Sequence, residues 1–415
     1  MLLKYSDIVS CSSDKQIGMV TVIEAKEKII ENTVLLATEI RTVESSLGYV
    51  VANDIQATLS LPPFRQSSMD GYAIRHADVV ENGTFLRVTG EAKAGEKSGQ
   101  NLKKGEAIRI FTGAPVPENA TAVIMQEHTS VKDNHVSILE FPISAGKNIR
   151  SIGQQIEKGA TALAEGILLS PGAIGFLLGL NTETVEVYKK PRVGILVTGD
   201  ELIQPGEVLE HGQVYESNSA MLVASLKQEG ILETEVLYAS DNLDATIDAL
   251  KELADRNDMI LISGGISVGD YDYAGRALEA LETKTIFYKV KQKPGKPLLC
   301  ARKENKLFFA LPGNPASSLV CFYEYVLPAV RKMSGRKDFF LRSLRLPVAA
   351  AYSFDGARDE FLKAIATHDT VIPLDGQESF ALRSFAIANA IIYLPVTQHV
   401  VAKGDLVEVH LLPFS

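Results

Sequence analysis

The chain has 415 residues, too many for one ordinary hydrophobic core, so we expect several domains. Its hydrophobic fraction of 46% and charged fraction of 22% are typical of a soluble globular protein without a membrane span. A net charge of −9 provides no basic surface for nucleic acid, and the three cysteines lack metal-ligand or CxxC spacing. We therefore expect a cytoplasmic protein that binds neither membranes nor nucleic acid.

The first part of the chain predicts a small domain interrupted by a β-rich insert. Hydrophobic spacing predicts two amphipathic helices within residues 20–52. Short β-like runs separated by Gly, Pro and Asn turns then predict an inserted β domain over residues 59–153. A further helix is predicted to start at Pro171. We expect residues 16–58 and 154–188 to form one small helical and extended domain.

The second part predicts an α/β domain followed by a β-rich domain. Strand-like and helical runs alternate over residues 189–335, which indicates a doubly wound parallel sheet with right-handed crossovers. Residues 341–415 return to short strands, which predicts a C-terminal β-barrel or a sandwich. The expected fold class is therefore multidomain α/β plus all-β.

Three short runs, LVTGDEL, ISGGISVGDYDY and LPGNPASS, follow predicted strands of the α/β domain. Open α/β sheets bind ligands at the carboxyl ends of their strands. The run SGGISVG lets backbone N–H groups approach a phosphate, although a tight strand-to-helix turn would explain it equally well. The residues expected to bind a nucleotide-like cofactor are Thr198, Gly199, Asp200, Ser263, Gly264, Gly265, Ser267, Gly269, Pro312, Gly313 and Asn314.

Carboxylates also follow three of these strands. Asp200 and Glu201 end one strand, Asp241 follows the next, and Asp270 and Asp272 follow the third. Adjacent strands lie about 4.8 Å apart, so these side chains are expected to converge on one divalent metal. Mg²⁺ suits such a site, because it combines one or two carboxylates with phosphate oxygens. Each acid alone would equally fit a helix cap or a solvated turn.

Lysines cluster in the run YKVKQKPGKPLL, at Lys289, Lys291, Lys293 and Lys296. If residues 289–293 are extended, their three lysines share one face and the Pro-Gly turn brings Lys296 toward them. Ammonium groups this close repel one another unless an anion compensates them, which indicates an oxyanion site. The alternative is a solvated edge strand protected by lysine.

The order of these motifs resembles the molybdopterin molybdenumtransferases, bacterial enzymes similar to the gephyrin E domain. The motifs are PPFRQSSMDGYA, GEAIRIFTGAPVP, VIMQE, GKNIR, LVTGDEL, SGGISVGDYDY, KPGKP and LPGNPASS. The resemblance implies an elongated homodimer of four-domain subunits, in which the α/β domain of one subunit faces the β insert of its partner. It further implies that residues 16–58 and 154–188 serve linkage and dimerisation. It also implies Mg²⁺-dependent insertion of molybdate into adenylylated molybdopterin, with release of AMP and molybdenum cofactor.

The resemblance implies roles for individual residues. Asp70 and Thr112 would reach the partner's active site, and Glu201, Asp241 and Asp272 would handle Mg²⁺ and the adenylate. Catalytic or molybdate-binding roles would fall to Lys289, Lys293, Lys296, Pro297, Ser317, Arg358 and Ser379. Ser384 remains an alternative to Ser379, and Gln155 and Arg65 stand where relatives usually carry acids.

Three alternatives remain open at this stage. The chain could be an adenylyltransferase, although that activity resembles only the α/β domain. It could be a scaffold without catalytic activity, or a tungsten-using enzyme that takes tungstate in place of molybdate. The resemblance also allows a transient contact with the molybdopterin adenylyltransferase.

Overall fold

A computed structural model describes residues 18–96, 101–266, 273–353, 356–398 and 400–413. The described chain divides into two compact units. The first unit comprises the described residues of Met1–Glu39, Gly48–Val50 and Tyr188–Ser415, and the second comprises those of Ile40–Leu47 and Val51–Val187. No helix among the described residues is both long and apolar enough to span a membrane. The finer division into four domains stays a prediction.

The second unit is built around a six-stranded sheet. Its strands, in spatial order, are Ala122–Met125, Gly71–Ile74, Glu106–Ile110, Thr84–Ala92, His135–Ile138 and Thr129–Lys132. Only the central pair, Glu106–Ile110 with Thr84–Ala92, is parallel. Ile74, Leu86 and Ile124 are fully or almost fully buried in its core.

Short paired strands and one helix complete the second unit. The pairs are Gln66–Ser67 with Ile149–Arg150, Ile55–Gln56 with Thr161–Leu163, and Thr38–Thr42 with Thr184–Tyr188. Short 3-10 turns lie at Val43–Ser45, His76–Asp78 and Gln126–His128. The helix Pro171–Gly179 begins at the predicted proline, and the Ser170 hydroxyl caps it by accepting the Ala173 N–H.

The second helix predicted within residues 20–52 is wrong. After the 3-10 turn Val43–Ser45 the chain turns at Gly48, whose φ is +73°, a conformation that ends a helix. Val51 then forms an antiparallel bridge with Val187. Its β-branched side chain suits this extended backbone better than a helix.

The first unit opens with the predicted helix Val22–Asn32. Thr21 and Glu24 form a capping box at its start, each side chain accepting the other residue's backbone N–H. A six-stranded sheet follows, in the order Thr234–Ala239, Val193–Thr198, Met259–Ser263, Lys306–Leu311, Leu299–Lys303 and Lys284–Tyr288. The helices that accompany it are Asn218–Gln228, Leu243–Arg256, Tyr273–Ala280, Pro315–Cys321 and Leu327–Met333.

The expectation of a purely parallel sheet is corrected at one edge. The first four strands are parallel, but Leu299–Lys303 pairs antiparallel with both of its neighbours. The physical reason is the two-residue connection between Lys303 and Lys306, in which Glu304 has a φ of +52°. So short a connection can join only antiparallel strands.

The C-terminal part of the first unit is a second mixed sheet. Its strands, in spatial order, are Gln292–Lys293, Asp359–Ala366, Ala390–Leu394, Leu406–Leu411 and Arg342–Pro347, with Val371–Pro373 paired to Asp359–Ala366. A bridge between Val348, just after Arg342–Pro347, and Val371 links that strand to Val371–Pro373, so the five strands other than Gln292–Lys293 close into a small barrel. Further elements are the strand pair Leu202–Ile203 with Val214–Tyr215, the pair Tyr352–Ser353 with Val400–Val401, and the helix Leu382–Phe385.

The lysine-rich run joins the two sheets instead of forming one strand. Lys289 follows a strand of the α/β sheet and has a φ of +70°, which ends the extended conformation. Gln292 and Lys293 then pair in parallel with Asp359 and Glu360 of the barrel. The prediction that residues 289–293 form one extended face is therefore wrong.

Candidate functional site

Four predicted loops meet at one edge of the α/β sheet. The strands ending at Thr198, Ser263 and Leu311 are hydrogen-bonded neighbours and run parallel, as does the strand ending at Ala239. Parallel neighbours place their carboxyl ends on the same edge. The residues expected to bind the cofactor therefore share that edge wherever the structure describes them. Ser267, Gly269 and Asp272, together with Asp270, lie outside the described residues.

The glycines after Ser263 permit a close approach between two of these loops. A Cβ at Gly264 would lie 2.3 Å from the Thr198 carbonyl oxygen, and one at Gly265 would lie 2.9 Å from the Thr198 hydroxyl. Gly264 also has a φ of +96°, which only glycine adopts readily. The Thr198 hydroxyl is buried and has no hydrogen-bond partner among the described residues. A buried unpaired hydroxyl is a group that a bound ligand can satisfy.

Asn218 connects the loop at Ser263 with the loop at Gly313, and the sequence did not predict this role. Its side-chain amide donates to the Ser263 hydroxyl at 3.1 Å and to the Gly313 carbonyl at 2.8 Å. The only signal in the sequence was an amide at the start of the helix Asn218–Gln228. That signal is equally typical of an ordinary cap.

The carboxylates after two neighbouring strands lie together. Asp200 accepts the backbone N–H of Asp241 at 3.0 Å, and one carboxylate oxygen of Asp241 is buried without a partner among the described residues. Burial raises the pKa of the Asp241 carboxyl, and the negative charges of Asp200 and Glu201 raise it further. No group of three or more His, Cys, Asp or Glu side chains in the described part of the chain is spaced to hold a metal ion. The predicted ligand set therefore stays a prediction, because it includes Asp272.

The loop of residues 293–297 presents lysines at the junction of the α/β sheet and the barrel. Lys293 is half exposed, and its ammonium lies 3.0 Å from the buried Glu360 carboxylate. Glu360 also accepts the Tyr352 hydroxyl at 3.0 Å. The Lys289 ammonium lies 4.6 Å from the centre of the Tyr288 ring, a cation–π contact. Lys296 and Pro297 are half-buried in the same loop.

The helix that follows LPGNP faces a barrel loop. Its cap residue, Asn314, donates its side-chain amide to the Ser379 hydroxyl at 2.9 Å, and the Ser317 N–H donates to the Ser379 carbonyl at 3.2 Å. Ser384 is buried and its hydroxyl donates to the carbonyls of Asp375 and Gly376. The geometry therefore places Ser379, rather than Ser384, beside the predicted pocket.

The Ser379 loop is held from within by a buried lysine. Lys363 is almost fully buried, and its ammonium donates to the carbonyls of Gly376 at 2.6 Å, Glu378 at 3.1 Å and Ala381 at 3.0 Å. These acceptors satisfy all three of its N–H donors. Arg358, predicted for molybdate, is half-buried and makes no hydrogen bond to a described residue.

In the second unit, Asp70 and Thr112 form an exposed pair. The backbone N–H and the hydroxyl of Thr112 donate to one Asp70 carboxylate oxygen at 2.7 and 2.8 Å. These two hydrogen bonds lower the pKa of the Asp70 carboxyl. Gly71 is required beside them, since a Cβ there would lie 1.8 Å from the Ile124 carbonyl oxygen.

The two residues that depart from the resemblance lie elsewhere in the second unit. Arg65 donates to the carbonyls of Glu118 and Ala120 at 2.9 and 2.6 Å, so it holds a turn. Gln155 is exposed and lines an open cavity of about 480 Å³ together with Arg150 and Gln154. The carboxylate expected from the resemblance is therefore replaced by a neutral amide.

Three family profiles match successive parts of the chain. "MoeA N-terminal region (domain I and II)" matches residues 20–180, "Probable molybdopterin binding domain" matches residues 194–332, and "MoeA C-terminal region (domain IV)" matches residues 345–412. Among solved structures, a molybdopterin biosynthesis MoeA protein from Pyrococcus horikoshii is 26% identical with a TM-score of 0.81. That likeness covers 95% of this chain and 100% of the other.

Curated relatives match over nearly the whole length. A Staphylococcus epidermidis protein named molybdopterin molybdenumtransferase is 32% identical over 94% of this chain and 95% of its own. A Staphylococcus aureus protein of the same name is 31% identical over 93% of this chain and 94% of its own. A second Pyrococcus MoeA structure is 29% identical with a TM-score of 0.78, over 95% of this chain and 99% of that one.

Proposed function

The chain belongs to the molybdopterin molybdenumtransferase family, which serves molybdenum cofactor biosynthesis, and we propose how its residues insert molybdate. The proposed substrates are adenylylated molybdopterin and molybdate, and the products are AMP and molybdenum cofactor. Two features of the first unit support this proposal: the nucleotide-type loops and carboxylates at one edge of the α/β sheet, and the lysine loop beside the helix Pro315–Cys321 that follows one of these loops. A phosphate-bearing pterin, a divalent metal and an oxyanion would need those three groups.

The proposed adenylate site is the edge of the α/β sheet. The loops after Thr198, Ser263 and Leu311 would hold the pterin phosphate and the adenylate. The Thr198 hydroxyl, which has no partner among the residues that the structure describes, would donate to one of these groups. Asn218 would fix the separation of the loops after Ser263 and Leu311, since it bonds to both.

The carboxylates fit Mg²⁺ as the resident metal. One buried carboxylate oxygen of Asp241 has no partner in the described part of the chain and lies beside Asp200 and Glu201. It is a hard oxygen donor of the type that Mg²⁺ prefers. Glu201, Asp241 and Asp272 would hold it, with phosphate oxygens completing its coordination. When bound, Mg²⁺ would neutralise charge on the adenylate phosphate. The carboxylates would therefore position the metal charge beside the phosphate of the AMP that leaves.

The proposed molybdate pocket lies where the lysine loop, the helix after LPGNP and the Ser379 loop meet. Lys293 and Lys296 would compensate the negative charge of molybdate, and Lys289 would contribute from the start of the loop. The hydroxyls of Ser317 and Ser379 would donate to molybdate oxygens. Arg358 would add a planar guanidinium, which suits an oxyanion. Pro297 would limit the freedom of the loop.

Catalysis would then rest on positioning and on charge neutralisation, without a covalent nucleophile. Molybdate would be held next to the dithiolene thiols of the pterin, whose two sulfurs would bind molybdenum while one molybdate oxygen leaves as water with the two thiol protons. A water molecule would cleave the bond between the pterin phosphate and AMP, which releases AMP. The basic groups would offset the charge that gathers when two anions are brought together. A dry, preorganised pocket makes such contacts stronger than they are in water.

We further propose that the active enzyme is a homodimer in the reducing cytoplasm. Asp70 and Thr112 would act on the site of the partner subunit, and their exposure in the second unit leaves them accessible for this role. Cys300 and Cys321 are buried free thiols, which a reducing compartment preserves. We also propose a transient contact with the adenylyltransferase that makes adenylylated molybdopterin, because that substrate is a labile intermediate.

Incubation with adenylylated molybdopterin, Mg²⁺ and molybdate, or tungstate in parallel, tests the proposal through AMP release. Lys293→Ala and Lys296→Ala should raise the KM for molybdate about tenfold each, because each removes a charge-assisted contact. Lys284→Ala is the control, since this exposed lysine lies on the strand that precedes the loop. Absence of molybdate-dependent AMP release from the unmodified protein would overturn the proposed function. An unchanged KM in both loop variants would remove the lysines from the pocket.

A further inference from the structure

A buried glutamine, Gln292, lies immediately before the lysine loop of residues 293–297. Gln292 has no solvent exposure, although its neighbours Lys291 and Lys293 are exposed. Burying an amide is costly unless all of its polar atoms are hydrogen-bonded. Gln292 is nevertheless buried between two exposed lysines. The role of its side chain therefore depends on the hydrogen bonds that its amide makes.

The Gln292 amide closes the loop from inside. Its nitrogen donates to the carbonyl oxygens of Pro294 at 3.1 Å and Gly295 at 3.2 Å, which uses both of its N–H groups. Its oxygen accepts the Tyr325 hydroxyl. This pattern fixes the orientation of the amide, because the flipped orientation would place its oxygen against two carbonyl oxygens. The Pro294 and Gly295 peptides therefore have their carbonyls held toward the interior.

The turn at Gly295 is packed so closely that the amide has no room to move. Gly295 has a φ of +83°, and a Cβ there would lie 2.6 Å from the Cys321 sulfur and 2.9 Å from the Gln292 amide nitrogen. The same position lies 3.5 Å from the Ser317 carbonyl oxygen. The inner side of the lysine loop thus rests on the helix that carries Ser317.

Tyr325 links the Gln292 amide to that helix through its hydroxyl. It lies in a π-helical turn, Phe322–Val326, between the helices Pro315–Cys321 and Leu327–Met333. Such turns redirect side chains and are frequent at functional sites. Tyr325 is fully buried, and burial raises the pKa of its hydroxyl well above the ordinary value, so the group stays a donor.

We propose that Gln292 and Tyr325 are positioning residues that set the spacing between the lysines of the oxyanion loop and the helix carrying Ser317. Neither residue would touch molybdate, and both would act through the backbone of residues 294 and 295. This inference rests on the proposed function, since it assigns the loop to molybdate. It adds two residues that the lysine and proline pattern of the loop does not reveal.

Two variants test the positioning role. Gln292→Leu removes the amide, and Tyr325→Phe removes only the hydroxyl that orients it. Both should raise the KM for molybdate about tenfold while kcat at saturating molybdate and the KM for adenylylated molybdopterin change little. A purely structural defect would instead lower the unfolding midpoint and kcat without this split. Tyr325→Phe keeps the test valid if Gln292→Leu does not fold.

Tyr323→Phe is the matched control. It removes a buried hydroxyl from the same π-helical turn, but that hydroxyl is hydrogen-bonded to Ser225 and not to the loop. Its KM for molybdate should equal that of the unmodified protein. An unchanged KM in Tyr325→Phe, or an equal rise in Tyr323→Phe, would overturn the proposal.

Isothermal titration with molybdate separates this inference from the proposed function. If the unmodified protein binds molybdate but releases no AMP, the proposed function is wrong. The positioning role is then tested by comparing the molybdate affinities of the unmodified protein and the variants. Weaker binding by about tenfold in Gln292→Leu and Tyr325→Phe, but not in Tyr323→Phe, would support the role. If the unmodified protein binds no molybdate, or if all four proteins bind it equally, the positioning role is overturned.

Discussion

Asp241 is a partly buried carboxylate whose charge is opposed by its surroundings. Burial raises its pKa, and Asp200 and Glu201 add negative charge nearby. An acid whose folded-state pKa is raised loses stabilising free energy as pH rises from its unfolded pKa through the folded value. At neutral pH the ionised group therefore destabilises the protein, which is expected of a residue kept for binding a cation.

Replacing this carboxylate by an amide should separate stability from function. In Asp241→Asn we expect the unfolding midpoint of the metal-free protein to be unchanged or raised, because the repulsion is removed. Mg²⁺-dependent AMP release should be lost. The measurements are thermal unfolding and AMP release against Mg²⁺ concentration. Asp248→Asn, at an exposed position of the following helix, controls for the change in net charge. Normal Mg²⁺ dependence in Asp241→Asn would show that this residue is only a turn former.

The glycines of SGGISVG are predicted from the sequence to let the backbone approach a phosphate, and this stays a prediction. In the structure, Gly264 and Gly265 allow a close approach to Thr198, which the sequence did not identify as their neighbour. Asn218 and Gln292 were not predictable, because their partners are backbone carbonyls and a hydroxyl brought near by folding. A lone amide in a sequence carries no sign of which carbonyl it will meet.

At the scale of elements, one buried ammonium organises a whole loop. Lys363 comes from the strand Asp359–Ala366 and binds three carbonyls of residues 376–381, the loop that carries Ser379. Burial lowers the pKa of Lys363, and the negative charge of Glu378 acts in the opposite direction. The Gln377 amide supports the same arrangement by bonding to the backbone N–H and carbonyl of Lys363.

Lys363→Met should therefore be costly. It keeps the apolar stem but leaves buried carbonyls without donors, so we expect the free energy of unfolding to fall by about 2 to 4 kcal/mol. Urea denaturation measures this loss. Lys403→Met, at an exposed position of the same barrel, should change stability by less than about 0.5 kcal/mol. Equal effects in both variants would contradict the role assigned to the buried ammonium.

Elements with strong hydrophobic periodicity were predictable from the sequence. Features that depend on the length of a loop or on pairing with a distant strand were not. The alternating pattern gave the strands and helices of the α/β sheet, but the strand Leu299–Lys303 runs antiparallel to its neighbours because of the short connection at Glu304. The helix predicted from Val43 onward does not form, because the extended pairing of Val51 with Val187 outweighs the helical spacing of the apolar residues. Tertiary pairing often overrides local propensity in this way.

At the scale of the whole molecule, a buried charge cluster joins three parts of the first unit. Glu324, in the π-helical turn, contacts the Lys26 ammonium at 2.5 Å and the His410 ring at 2.7 Å. Lys26 comes from the first helix, and His410 comes from the barrel strand Leu406–Leu411. His410 also lies 3.1 Å from Glu408, and Tyr393 stacks on its ring. Removing one charge from such a cluster leaves the others buried and unpaired.

This cluster predicts a pH dependence of stability. Burial opposes the charge on His410, but the Glu324 carboxylate prevails and raises its pKa from 6.5 to about 9. Its contribution is complete below pH 6.5 and is lost as pH rises through about 9. Burial also opposes ionisation of Glu324, yet His410 and Lys26 lower its pKa from 4.5 to about 2. Its contribution is complete above pH 4.5 and is lost as pH falls through about 2.

Unfolding free energies across this pH range test the cluster. The unmodified protein should lose on the order of 2 to 3 kcal/mol more than His410→Gln as pH rises from neutral to alkaline. His368→Gln is the control, because that histidine is almost fully exposed. A pH profile that His410→Gln shares with the unmodified protein would show that the histidine is not charged in the fold.

The proposed homodimer makes a prediction that only mixed subunits can test. If Asp70 acts on the partner's site, an Asp70→Ala chain paired with an Asp241→Ala chain contains one site with both carboxylates intact and one with neither. Such a heterodimer should recover about half of the unmodified activity, although each variant alone is inactive. The matched control pairs the double variant Asp70→Ala/Asp241→Ala with an unmodified chain. It carries the same substitutions, but every shared site lacks one carboxylate, so it should stay inactive. The opposite pattern, with activity only in the control, would mean that each subunit builds its site alone.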